Sequence, residues 1–313
     1  MLYRSTRNKI DSYTSYRALR LHKGLDGGFI LPLRVPVFDP AEIEQMKNVE
    51  PLCNIARFLN LFFGTDFTPW DIESTIGKTP LQTVSCGQKI LVTQWWKNPA
   101  SRFSYYQQAL LERICPDKGA KQAIWSKVAV RISLIAATVL SIAEDEVDVA
   151  VIAGDFEQAL AVYFCRRMGL PIRKILIACN ENSNVWDFVH RGEMHCGAAL
   201  QKTAYPEQDK VIPDLFEAYF FLAYGYEETQ RFLDTASNCG DYKLPEETQI
   251  PATDNFFVSV VGQERIPAVI SSFYANNALT VNPYTAFSLG VLQDYRAKAG
   301  ESCTTVIFED VSP

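Results

Sequence analysis

The sequence has little of what zinc proteins, disulfide scaffolds and membrane proteins need. It contains three histidines and eight cysteines, and no two cysteines form a C-x-x-C pair. A structural zinc site is therefore not expected, and we expect no bound metal, with free and mostly buried thiols in a reducing cytoplasm. The longest apolar run, 128–143, is too short to span a membrane and contains Arg131. The first five residues have no apolar signal core, so a cytoplasmic location is expected.

Excess positive charge is also missing. The chain of 313 residues carries 30 Lys and Arg against 36 Asp and Glu, a formal net charge of −6. This balance argues against a nucleic-acid or anionic-membrane partner. The length is sufficient for one large domain or two.

A strand–helix–strand unit is predicted near the middle of the chain. Residues 148–153 form an apolar, β-branched run, Gly154 permits a tight turn, and Asp155 is a suitable N-cap for a helix over 156–168. A second strand is predicted over 172–179. The fold class predicted is α/β with a parallel sheet, and such proteins bind ligands at the carboxyl ends of their strands.

Further elements are predicted on both sides of this unit. Helices are expected from Asp39–Pro40, over 54–63, from Thr68–Pro69, over 102–114, 120–143, 185–190, 213–224, 227–236, 265–274 and 283–299. Strands are expected over 90–96, 256–261 and 304–309, and loops over 193–210 and 239–253.

The turn at Gly154 is of the kind that binds anions, because free N–H groups at a helix start attract negative charge. Here the turn carries Asp155 and Glu157, which satisfy the helix dipole themselves and would repel a phosphate. A capped helix with no ligand is the simpler interpretation.

Several stretches match family motifs in order along the chain. These are Tyr3–Thr6, Gly24–Pro32, Asp155–Phe156 inside a loop like "SGNFGN", Gly169–Ile172 with Ala178–Asn182 against "GLPI…ATNEND", and Asn282–Pro313. Together they resemble threonine synthase, a fold-type II enzyme that uses pyridoxal 5′-phosphate (PLP). The resemblance implies a threonine synthase/tryptophan synthase β-like fold, with an N-terminal helical subdomain over 1–89 and an α/β large domain over 90–313.

Departures from the family pattern decide the functional interpretation. The lysine that would form the Schiff base falls on Ser104, whose hydroxyl cannot form an imine, and Lys97 is a poor substitute. A segment of about 100 residues that would enclose the cofactor is missing near 115–120. In the phosphate loop an asparagine falls on Asp155 and a glycine on Glu157.

Three hypotheses follow. The first is a pseudoenzyme without PLP that binds a partner or forms a homo-oligomer through the face exposed by the deletion. The second is a cofactor-independent enzyme that uses Asp155, Glu157, Glu181 and Asp310 as acid, base or cation ligands. The third is a PLP enzyme with an unusual lysine. The first predicts no catalytic residues and a vestigial cleft at Ser104, Gly154, Asp155, Phe156, Glu157, Asn180, Glu181 and Asp310.

Overall fold

A computed structural model describes residues 1–78, 81–97, 102–115, 123–248, 256–300 and 303–313. The strands are β1 (Leu2–Ser5), β2 (Tyr13–Thr14), β3 (Ile30–Pro32), β4 (Thr83–Cys86), β5 (Ile90–Gln94), β6 (Val147–Ile152), β7 (Ile172–Cys179), β8 (Glu193–His195), β9 (Asp241–Lys243), β10 (Phe256–Val260) and β11 (Thr305–Glu309). The helices are α1 (Ser15–Ala18), α2 (Pro40–Lys47), α3 (Pro51–Phe63), α4 (Pro69–Ile76), α5 (Phe103–Ile114), α6 (Ile124–Leu140), α7 (Glu157–Arg167), α8 (Asn184–Arg191), α9 (Phe216–Ser237), α10 (Ile266–Asn277) and α11 (Pro283–Ala299). Short 3₁₀ turns lie at Pro206–Gln208 and Gln263–Arg265.

A six-stranded sheet in the order β10-β7-β6-β11-β5-β4 forms the centre of the molecule. All neighbouring pairs are parallel except β4 with β5, which form an antiparallel edge. The central strands are buried on both faces, which explains why they are continuous apolar runs rather than alternating patterns. The predicted α/β class and the predicted strand–helix–strand unit are both confirmed.

Helices cover both faces of this sheet. On one face α6 packs between α3 and α7, and most of its side chains are buried. On the other face α11 packs over β6, β7 and β10, and α10 packs on α11, around a second apolar cluster. The carboxyl ends of the parallel strands remain open between these layers.

The N-terminal region joins the larger part through aromatic packing. A three-stranded antiparallel sheet, β2-β1-β3, brings Tyr3 within 5.6 Å of the Trp125 ring, measured between ring centroids. Phe62 of α3 and Phe164 of α7 pack on the same indole at 5.5 Å. The division into 1–89 and 90–313 stays a prediction, and one apolar cluster extends across both parts.

The helix starts predicted from proline and capping residues are confirmed. Asp39 accepts a hydrogen bond from the Glu42 N–H at 2.8 Å, and Thr68 caps α4 in the same way through the Asp71 N–H. Both helices begin on a proline, whose missing N–H is harmless at that position.

Other local predictions need correction. The two regions predicted as loops, 193–210 and 239–253, contain the short strands β8 and β9, which pair with each other. The two helices predicted over 213–224 and 227–236 are confirmed, because the backbone of α9 is interrupted between them at Gly225, whose φ of 83° and ψ of −174° are not helical. The N-cap of α7 is Phe156 rather than Asp155.

The prediction that the thiols are free is confirmed, whereas the prediction that most of them are buried is not. All eight thiols are free, but full burial applies to three of them, Cys115, Cys165 and Cys179. Within the described ranges, no helix has the combination of length and apolar character that crossing a membrane requires.

Candidate functional site

The candidate site is a cleft of about 510 Å³ at the carboxyl ends of β6 and β11. Five carboxylates and two cations contribute to its lining, so the cleft is acidic. The lining residues are Arg131, Ile152, Gly154, Asp155, Glu157, Gln158, Pro206, Glu207, Lys210, Asp214 and Asp310.

The turn between β6 and α7 has an unusual backbone. Gly154 has φ 40°, and a Cβ built there would lie 3.3 Å from the Glu207 carbonyl oxygen. Phe156 has φ 72°, in the left-handed region that non-glycine residues seldom adopt. Its side chain is fully buried against Phe216 and Tyr219, and this packing stabilises the turn.

Three backbone N–H groups of this turn already donate to acceptors of the same chain. The Gly154 N–H donates to Gln208 Oε1 at 3.0 Å. The Phe156 N–H donates to the Ala153 carbonyl at 2.7 Å, and the Glu157 N–H donates to Asp155 Oδ1 at 2.9 Å. An incoming anion would have to displace these bonds before it could use the donors.

Arg131 of α6 joins two carboxylates across the cleft. Its Nε lies 2.7 Å from Glu157 Oε1, and its Nη2 lies 3.0 Å from Asp310 Oδ2. The Arg131 side chain is only 8% exposed, and its guanidinium carbon lies 3.8 Å from the centroid of the Phe103 ring. Gln107 Nε2 also donates to Glu157 Oε1 at 2.7 Å, so α5, α6, α7 and the end of β11 meet at one polar cluster.

The electrostatics of the cluster follow from burial and from these pairs. Burial raises the pKa of Asp310, although the Arg131 charge opposes the shift. Burial and then the Glu157 charge raise the pKa of Asp155. Burial disfavours the charged form of Arg131, but the Asp310 and Glu157 carboxylates more than offset it and raise the Arg131 pKa.

The structure brings together four of the eight predicted cleft residues: Gly154, Asp155, Glu157 and Asp310. Phe156 belongs to the apolar core. Ser104 lines a separate depression of about 300 Å³ with Gln107, Gln108, Leu111 and Lys127.

The side chains of Asn180 and Glu181 form hydrogen bonds to neighbouring loops and do not line this cleft. Asn180 Nδ2 donates to Asp209 Oδ1 at 2.7 Å. Glu181 Oε1 accepts from the Gln263 N–H at 2.9 Å, and its other oxygen is buried without a hydrogen-bond partner. Among the carboxylates proposed as an acid–base set, Glu181 therefore lies outside the cluster around Arg131.

Sequence reasoning missed four charged residues of the cleft: Arg131, Glu207, Lys210 and Asp214. Arg131 had a detectable signal, because it is the one charged residue in the apolar run 128–143, and buried charges need partners. Lys210 is a lysine on the cleft wall, and its Nζ lies 2.8 Å from Asp214 Oδ2. The lysine considered from the sequence, Lys97, instead donates to Gln94 Oε1 at 3.2 Å.

Three aromatic runs, 95–96, 105–106 and 216–226, could cover an exposed face or belong to the core, and five of their ten aromatic side chains are buried. Trp95, Tyr106 and Phe216 are fully buried, whereas Tyr105 is 46% exposed. No group of three or more metal-ligating side chains is found in the described part of the chain.

Comparison with known proteins supports the fold. No protein-family model matches. The chain is 24% identical over 179 residues to threonine synthase of Pseudomonas aeruginosa, covering 55% of this chain and 37% of that protein. It is 34% identical over 77 residues to threonine synthase-like 1 of Mus musculus, covering 24% of this chain and 10% of that protein. The matched stretches thus span well under half the length of these relatives.

A crystal structure of PLP-bound threonine synthase from Brucella melitensis superposes with a TM-score of 0.84 and 17% identity. The superposition covers 100% of this chain and 89% of that one. The chain therefore has a threonine synthase-like fold.

Proposed function

We propose that this chain is a threonine synthase-like protein that has lost PLP chemistry and acts by binding. The observation that carries the proposal is the Arg131 cluster, in which one buried guanidinium joins Glu157 and Asp310 where an anionic cofactor would need free donors.

The cleft residues do not fit PLP, the group named for the Brucella melitensis structure. Asp155 and Glu157 flank the start of α7, and the N–H groups of Gly154, Phe156 and Glu157 are engaged within the chain. Two like unit charges about 4 Å apart repel by about 4 kcal/mol at an effective dielectric constant of 20. Ser104, at the position matched to the family lysine, has a hydroxyl and no amine.

The experiment that tests this proposal is an absorbance titration with PLP. We expect no saturable imine band in the wild-type protein, because three N–H donors of the turn are already engaged and two carboxylates flank it. Lys210 lines this cleft and is therefore the lysine to replace. Lys210→Met is the matched variant, and any band that it removes would assign cofactor attachment to Lys210 and contradict the proposal.

The binding role extends to a homo-oligomer or a protein partner. Nine residues, 115 to 123, separate α5 from α6, and this short connection supports the loss of the cofactor-enclosing segment. Residues 116–122, which include most of the junction predicted near 115–120, lie outside the described part. Trp70 on α4 is 70% exposed and Tyr105 on the adjacent α5 is 46% exposed. Light scattering after size-exclusion should give a mass above the 35.3 kDa of one chain, and a stable monomer would contradict self-association.

A cofactor-independent enzyme is the second candidate. It is favoured by the raised pKa values of Asp155 and Asp310 in one cleft, a feature typical of acid–base sites. Ordinary carboxyl pKa values for both residues in an NMR titration would contradict it.

A further inference from the structure

A second cavity, of about 470 Å³, lies against α10 and α11 beside the β4–β5 turn. It shares no lining residue with the acidic cleft. The lining residues are Gly87, Gln88, Ile90, Ser272, Phe273, Asn276, Asn277, Leu289, Leu292, Gln293 and Arg296. Its size is that of a small-molecule site.

The lining combines an apolar part with polar groups, of which one is charged. Ile90, Phe273, Leu289 and Leu292 are all nearly buried and supply the apolar surface. The remaining side chains are amides, a hydroxyl and one guanidinium, and no carboxylate is among them. Arg296 is thus the one charged side chain in the lining.

The guanidinium of Arg296 has few acceptors. Its Nη2 donates to the carbonyls of Cys303 at 3.2 Å and Lys89 at 3.4 Å, and its Nε is buried with no hydrogen-bond partner. Burial lowers the Arg296 pKa, and the nearby Asp148 charge opposes this only in part. Asp148 itself is paired with Arg173 at 2.8 Å. A carboxylate is the acceptor whose planar geometry matches a guanidinium.

The turn that borders the cavity is held in a strained conformation. Gln88 and Lys89 both have left-handed backbones, with φ 61° and 56°. Asn277 Oδ1 accepts from the Gly87 N–H at 2.8 Å and fixes the turn against α10. Positive φ is common in tight β-hairpin connections, so this conformation positions the turn beside the cavity and is not itself evidence for a ligand.

We propose that this cavity binds a small organic carboxylate with an apolar body. Arg296 pairs with the carboxylate, and Phe273, Leu289 and Leu292 contact the body. One guanidinium with no second cation in the lining favours a monoanion over a phosphate ester. This site is independent of the function proposed for the acidic cleft.

The test compares 3-phenylpropionate with its neutral isostere 3-phenylpropanamide by ligand-observed NMR. We expect the acid to bind at least about tenfold more tightly, since a charge-assisted pair is worth more than a neutral one. Arg296→Met should reduce acid binding to the amide level, and Ser272→Trp should abolish binding of both by filling the mouth. Lys298→Met, the same charge change on the same helix outside the cavity, should leave both affinities unchanged.

Equal affinity for acid and amide would overturn the proposal. So would acid binding that survives Arg296→Met, or an absence of binding by both probes. If Arg296→Met fails to fold, the acid-to-amide ratio in the wild-type protein and the Ser272→Trp result still decide the question.

Discussion

Replacing Arg131 with methionine should lower the free energy of unfolding by about 3–5 kcal/mol at pH 7, the cost of removing one partner of a buried ion pair. The Arg131 side chain is 8% exposed, and its guanidinium pairs with Glu157 and Asp310 at 2.7 and 3.0 Å. Methionine fills a similar volume against Phe103, so the loss of stability measures the cost of two unpaired carboxylates rather than the cost of a cavity. The change in the free energy of unfolding is measured by urea titration with circular dichroism as the signal.

Two further variants separate charge from packing. Arg131→Met combined with Glu157→Gln should recover part of the loss, because one unpaired charge is removed. Arg113→Met is the surface control, since Arg113 is 49% exposed beside Asp71 and such pairs are worth about 0–1 kcal/mol. Equal losses for Arg131→Met and Arg113→Met would show that the cluster contributes no more than a surface pair.

The Arg131→Met deficit should also depend on pH in a defined direction. In the folded wild-type protein the Asp310 pKa is raised, so its ionisation opposes folding above that pKa. Without Arg131 this penalty grows, and it disappears as pH falls and the carboxyls become protonated. The deficit should therefore be largest near neutral pH and shrink in acid.

Replacing Glu309 with alanine should cost about 3–5 kcal/mol, because several buried donors lose one common acceptor. Glu309 is fully buried at the end of β11. Its oxygens accept from Trp96 Nε1 at 2.7 Å, Gln94 Nε2 at 3.2 Å, the Asn282 N–H at 3.1 Å and Thr285 Oγ1 at 3.4 Å. The lost bonds connect β5, β11 and the start of α11, so thermal and urea unfolding should both show the effect.

The Glu309 prediction has a graded control. Glu309→Gln keeps one carbonyl oxygen and should lose less than Glu309→Ala. Glu246→Ala, at an exposed position, should stay within about 0.5 kcal/mol of the wild type. A Glu309→Ala variant as stable as Glu246→Ala would mean that this buried acceptor is dispensable.

The parts of the fold that could be predicted from the sequence are those determined by interactions between residues close together along the chain. The strand 172–179 and the helix 283–299 were predicted with the bounds that the structure has, because β-branched runs and capped, proline-started segments are local signals. The strands β8 and β9 were missed because each has three residues and pairs with residues 46 to 50 positions away.

The candidate site was predictable only in part, because its contacts are distant along the chain. Arg131 reaches Glu157 across 26 positions and Asp310 across 179, and no spacing rule connects such residues. Asp155 and Asp310, which each follow the end of a strand, line one cleft, whereas the side chains of Asn180 and Glu181 bind neighbouring loops.

The most direct measurement of the central claim is the intact mass of the protein after incubation with PLP and reduction with borohydride. The Arg131 cluster, the engaged turn donors and Ser104 predict that no lysine is labelled stoichiometrically at one equivalent of PLP. A stoichiometric mass increase that maps to any lysine of the wild-type chain, and disappears when that lysine is replaced, would contradict the account.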